Sequence, residues 1–253
     1  MILGRRGSRS VTQEGTHMRK VSIAMFTAVI AGAASGGQIT QVVPGAYTNT
    51  PGTGVFLGPM TIGPRTYQML LHEDMLTNLV GLELTGMSWR LPLSATTGWP
   101  ASDIAYSNYD IYLSGSVDPS DRSLTFADNV VGTQTQVRSG ALTIDADSFG
   151  FGGSPTNDFG PTVGFQSGYL YTGGNLLVEI RHEGNGFGSR ALDALTTSTS
   201  GYGSMFSAAW QSSYTATTGL QGNFTIFQFT AIPTPGAAAL LGMGALVAAR
   251  RRR

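Results

Sequence analysis

At 253 residues the chain is long enough for one large β domain or two small ones, and its 35 glycines with only 12% charged residues favour strands and turns over helices. Cysteine is absent, which excludes disulfides, thiolate metal sites and a thiol nucleophile. Basic residues gather at the two ends, whereas positions 37–232 hold six Arg, no Lys and fourteen Asp or Glu, about −8 (six minus fourteen). Such a field repels phosphate, so nucleic acid is not an expected partner.

The first predicted element is a secretory leader. Arg19 and Lys20 form a basic start, Val21 to about Ala33 is apolar, and the small residues from Ala31 to Gly37 offer a cleavage site. The apolar run is too short for a membrane span. Residues 1–17 carry Arg5, Arg6 and Arg9 without an apolar pattern, so Met18 is the expected start and 1–36 is the expected extension plus signal peptide.

From Gln38 to Pro64 the chain is rich in Gly, Pro, Thr and Asn and reads as an irregular opening with one or two short strands. Arg65–Leu71 predicts a strand, and Met75–Val80 fits either a short helical turn or a strand. In Leu82–Arg90, Leu82 and Leu84 alternate with polar residues, then Met87 and Trp89 do so on the other parity; Gly86 at the switch predicts a bulge. Tyr106–Val117 alternates with Tyr109, Ile111 and Leu113 on one face and Asp110, Tyr112 and Ser114 on the other. Asp118-Pro-Ser-Asp121 is a turn, since Pro presets φ and Asp bonds nearby amides.

Ala141–Phe149 predicts a further strand, as do Pro161–Phe165, Gly168–Tyr171 and Asn175–His182. Thr172-Gly-Gly-Asn175 predicts a hairpin between the last two. Within the final one, Leu176, Val178 and Ile180 are expected inside, with Glu179 and Arg181 outside. Glu183–Gly203 reads as a long loop in which Arg190–Leu195 forms a helical turn. Ser204–Trp210 and Asn223–Ala231 close the body, the latter as a central strand because both its faces are apolar. About ten short strands and hardly any helix predict an antiparallel β-sandwich or jelly roll, one domain over 37–231.

The body offers little chemistry. His72-Glu73 and His182-Glu183 lack the second His of the zinc-protease pattern, which would fall at Leu76 and Gly186, and both histidines read as rim residues. No Gly-x-Ser-x-Gly is present. Fourteen acids leave a two-carboxylate hydrolase open. Neither a catalytic residue nor a metal ligand is singled out and no cofactor is expected, with a structural calcium between loops left open. Among the aromatics, Trp99 in a Gly-Trp-Pro loop and Tyr112 on an outward strand position are the expected exposed pair for stacking a sugar ring.

The C-terminal segment 232–253 has three parts: Pro233-Thr234-Pro235, an apolar run Gly236–Ala249, and Arg250, Arg251, Arg252 and Arg253. As a helix the run spans about 21 Å, short for a hydrocarbon core of about 30 Å, and the arginines belong on the cytoplasmic side. This layout resembles the PEP-CTERM protein-sorting signal of Gram-negative bacteria, with Thr234 where that family usually has Glu. The resemblance implies an exosortase-like partner, transient anchoring in the inner membrane, removal of the tail, and delivery to the cell surface or extracellular matrix. The expectation is therefore an exported, surface-sorted, non-enzymatic β-sandwich, a structural or adhesive matrix component that uses the secretion machinery and contacts extracellular polysaccharide. A carbohydrate-binding module at Trp99 and Tyr112, and a secreted polysaccharide hydrolase, are the alternatives.

Overall fold

The structure is a computed structural model and describes residues 37–234. The expected leader, and of the expected tail Pro235, the apolar run and Arg250–Arg253, lie outside the described residues. The described chain is all-β, with several antiparallel sheets, and no α-helix occurs among the described residues, only short 3-10 turns.

The strands begin with β1 (Ile39–Val43), β2 (Gly54–Phe56) and β3 (Arg65–Leu71), the last buried along its whole length. Two 3-10 turns, Glu73–Met75 and Thr77–Leu79, lead into β4 (Leu82–Trp89), then β5 (Ile104–Tyr106) and β6 (Tyr109–Ser116). Turns at Pro119–Asp121 and Phe126–Asn129 precede β7 (Val130–Arg138) and β8 (Leu142–Ile144). β9 (Val163–Leu170), β10 (Leu176–His182), β11 (Leu192–Leu195) and β12 (Phe206–Gln211) follow. β13 (Leu220–Gln221), β14 (Phe224–Thr225) and β15 (Phe227–Pro233) complete the set. They form a four-stranded sheet ordered β1-β15-β4-β9, a six-stranded sheet ordered β13-β12-β3-β10-β6-β7, a three-stranded sheet β14-β11-β2 and the pair β5-β8.

Period-two alternation decides what goes inside. In the large sheet Val178 stands opposite Met69 and Leu113, and Ile180 opposite Tyr67 and Ile111, so one face is a continuous apolar block. The four-stranded sheet adds Val43, Leu84, Met87, Trp89, Phe227 and Phe229 to the same core. Phe227 and Phe229 meet edge to face at 4.9 Å. Each such fully buried side chain contributes about 1.5–3 kcal/mol. The expected bulge is present: β4 slips against both neighbours around Thr85, between Leu84 and Gly86, which turns Leu84 and Met87 alike to the core.

Several expectations need correction. Thr172–Asn175 does not close a hairpin, because β9 pairs with β4 while β10 pairs with β3 and β6. Gly173 and Gly174, at φ of 105° and 86°, take the chain from one sheet to the other. Pro161–Phe165 and Gly168–Tyr171 are parts of one strand, β9. Arg190–Leu195 contains strand β11 rather than a helical turn. Asp110, Ser114 and Glu179, expected in solvent, are buried, and Arg181 is half-buried, since the second face of the large sheet is also covered.

The first and last strands lie side by side. Ile39 pairs with Ala231 and Val43 with Phe227, so the chain enters at residue 37 and leaves at residue 234 at the same end of one sheet. Pro233 still pairs with Leu82, and the Thr234 hydroxyl donates to the Gly81 carbonyl at 3.4 Å.

Candidate functional site

The second face of the six-stranded sheet carries the polar residues of its central strands: Gln68 from β3, Glu179 and Arg181 from β10, Asp110 and Tyr112 from β6. Two segments cover it. One is a strap over 118–129, containing the turns Pro119–Asp121 and Phe126–Asn129; the other is the loop 212–219. They hold each other through Phe126 N to Thr217 O (2.9 Å) and Gly219 N to Leu124 O (2.8 Å). The strap folds locally as expected, with Asp118 Oδ1 accepting from the Ser120 amide at 2.9 Å.

A line of hydrogen bonds ties strap, sheet and loop together. Asn129, fully buried, accepts from the Ser123 amide at 2.7 Å and donates to Gln68 Oε1 at 2.8 Å. Gln68 Nε2 donates to the Phe126 carbonyl at 3.1 Å and to Glu179 Oε2. Glu179 Oε1 accepts from Arg181 Nε, and Arg181 Nη1 donates to the carbonyls of Tyr214 (2.9 Å) and Ala216 (3.2 Å). The Glu179 carboxylate, 3% exposed, is thus paired and hydrogen-bonded, as a buried charge must be. Next to it Asp110 accepts from the Tyr214 hydroxyl and from Asn108. The hydrogen bond donated to that carboxylate, helped by burial and by the carboxylate's charge, pushes the Tyr214 phenol up to about 12.

Between strap and loop an open crevice of about 420 Å³ reaches down to Glu179 and Arg181. Gln134, Thr125 and Thr217 line its sides, with Phe126, Ala127 and Val130 as apolar wall. The Gln134 amide nitrogen is buried there without a partner. A second cleft, about 760 Å³, lies along β1 between Tyr47, Met75 and Phe206, with Asp74 as its one carboxylate.

The two expected sugar-stacking aromatics are not brought together as a platform. Trp99 is buried at 9% exposure, its ring edge-on to Phe149 at 5.4 Å and its backbone bridged to Phe149, so the exposure expected for it is corrected. A Trp between Gly and Pro still carries the largest apolar surface of its loop and turns it inward. Tyr112 is half-buried on the polar face, opposite Glu179 and Gln136, and burial raises its phenol. Of the histidines, His72 stays partly exposed in its turn, accepting from the Asp74 amide at 3.3 Å. His182 is not a rim residue but fully buried. Among the described residues no group of three or more His, Asp or Glu could hold a metal ion.

Away from the crevice, a buried ion pair fixes the opening loop. Arg90 Nε donates to Asp193 Oδ2 at 2.9 Å, and its other nitrogens donate to the carbonyls of Thr48 (3.4 Å) and Thr50 (2.8 Å). Asp193 Oδ1 accepts from the Gly52 amide at 2.9 Å. A Cβ at Gly52 would lie 2.6 Å from that oxygen, so only glycine fits.

Sequence reasoning missed Gln68, Glu179, Arg181 and Gln134 because a Leu-Val-Glu-Ile-Arg alternation reads as one wet face. The Asp-Pro-Ser-Asp turn, followed by Phe126 and Asn129, was the only local sign of a covering strap. No family model matches the chain, and no curated protein matches it.

Proposed function

We propose that the protein is an exported, surface-sorted, non-enzymatic component of an extracellular matrix, its body a jelly-roll-like β-sandwich. The observation that carries this reading is the pairing in one sequence of a basic, apolar leader at Met18–Ala33 with a tail of Pro233-Thr234-Pro235, a short apolar run and four arginines. An exosortase-like enzyme and the secretion machinery are the partners this implies, with brief residence in the inner membrane.

Two structural features support it. Residues facing inward from the four- and six-stranded sheets belong to one core, as two packed layers require. The pairing of β1 with β15 puts the two ends of the described body, residues 37 and 234, at one end of the same sheet. The non-enzymatic reading rests on the sequence, which lacks thiols and a Gly-x-Ser-x-Gly nucleophile. Intact-mass spectrometry of the protein from its native host is the test. The mature form should lack Met18–Ala33 and Gly236–Arg253; recovery of the four arginines on surface-located protein would refute the sorting claim.

A further inference from the structure

We infer that the crevice between strap and loop binds a neutral saccharide unit, gripped by Glu179, Arg181 and Gln134. The chemistry of the lining selects the ligand class. Glu179 and Arg181 are already paired, so the floor carries no net charge to offer an ion. Each Glu179 oxygen accepts one described bond, from Gln68 or Arg181, and keeps a second lone pair for a hydroxyl donor. Gln134 Nε2 is a buried donor with no partner in the protein, and a buried donor left unmade is costly unless a ligand or water takes it up.

Thr125 and Thr217 add hydroxyls that both give and accept, a short distance from the apolar wall of Phe126, Ala127 and Val130. Donors and acceptors intermixed beside a small apolar surface match a sugar ring, whose hydroxyls do both and whose C–H faces are apolar. An anionic ligand would meet a body of about −8 (six Arg against fourteen acids over 37–232). A cationic one would meet the Arg181 guanidinium beside the only carboxylate. The volume of about 420 Å³ suits one or two rings and is small for a folded partner. This inference does not depend on how the protein is sorted.

The test is calorimetric titration of the full chain with neutral hexasaccharides: β-1,3-, β-1,4- and α-1,4-linked glucose and β-1,4-linked mannose. At least one should bind with a dissociation constant of about 1 mM or tighter. Gln134→Ala, which breaks no hydrogen bond described in the free protein, should weaken that binding about tenfold while leaving the melting temperature unchanged. Glu179→Gln should weaken it further; if that variant fails to fold, Gln134→Ala decides alone. Absence of binding to all four probes overturns the inference. So does binding that Gln134→Ala leaves at full strength, or that is lost only with Phe187→Ala, an exposed aromatic (76%) in the turn after β10 and away from the crevice lining. Equal affinity for an oligogalacturonate overturns the assignment to neutral sugars.

Discussion

The imidazole of His182 lies parallel to the ring of Tyr109, 4° between planes and 5.4 Å between centroids, and Tyr106 meets both edge-on. Nδ1 accepts from the Gly184 amide at 3.1 Å, which leaves the proton on Nε2 to be donated to the Gly58 carbonyl at 3.2 Å. Burial, with Arg65 adding to it, pulls the His182 pKa down from 6.5 to about 4. Well above pH 6.5 the ring is neutral whether the chain is folded or not. Between 6.5 and about 4 only the unfolded chain takes up the proton, so stability falls as pH falls, by about 3 kcal/mol in all from this group. Urea unfolding at several pH values should show that decline, and an NMR titration should place the His182 midpoint near the lower limit. A midpoint near 6.5 would sink the argument.

Arg90 and Asp193 make a second prediction. Arg90→Met strands a buried carboxylate and should cost about 3–5 kcal/mol in urea unfolding. Adding Asp193→Leu should recover a good part of that loss, since the orphaned charge goes with it. A double variant no more stable than Arg90→Met would show that the backbone bonds to Thr48, Thr50 and Gly52, not the charge pair, dominate.

Asn129→Ala removes the side chain that joins the strap to Gln68. Buried amides left unpaired should cost about 1–3 kcal/mol. The loss should also be local: hydrogen exchange over 118–129 should quicken ahead of exchange in β3 and β10. Uniform acceleration across the sheet would argue against a separately opening strap.

Gly174→Ala probes the passage between sheets. At φ of 86° an L-residue costs about 1–2 kcal/mol, although nothing lies near the added carbon. The thermal midpoint should drop without change in the near-ultraviolet circular dichroism of the core aromatics. An unchanged midpoint would mean the turn relaxes freely.

What was legible in the sequence follows from burial. β3, β4, β6 and β10 were readable because one face of each is largely apolar; the single strand expected over Asn223–Ala231 is instead two, β14 in the three-stranded sheet and β15, which lies between β1 and β4, because the chain passes from one sheet to the other at Ile226. β7 was not, since it is an edge strand whose Val130–Gln136 stretch is exposed or half-buried and so has no hydrophobic period. β11 hid behind Leu192 and Leu195, whose spacing of three mimics a helix although all four of its residues are buried. Gly173 and Gly174 signalled a turn, but a turn does not say which sheet the next strand joins. The polar crevice was illegible for a related reason: Glu179 looks solvent-facing until the strap, fifty residues earlier in the chain, is folded over it.

The placement of β15 has a mechanical consequence. A pull on residue 234 acts along the strand, while its hydrogen bonds to β1 and β4 run across it. Load is then shared by two whole ladders in shear, rather than breaking one bond at a time as in peeling. A body hung by that strand resists being drawn apart far better than one hung by an edge.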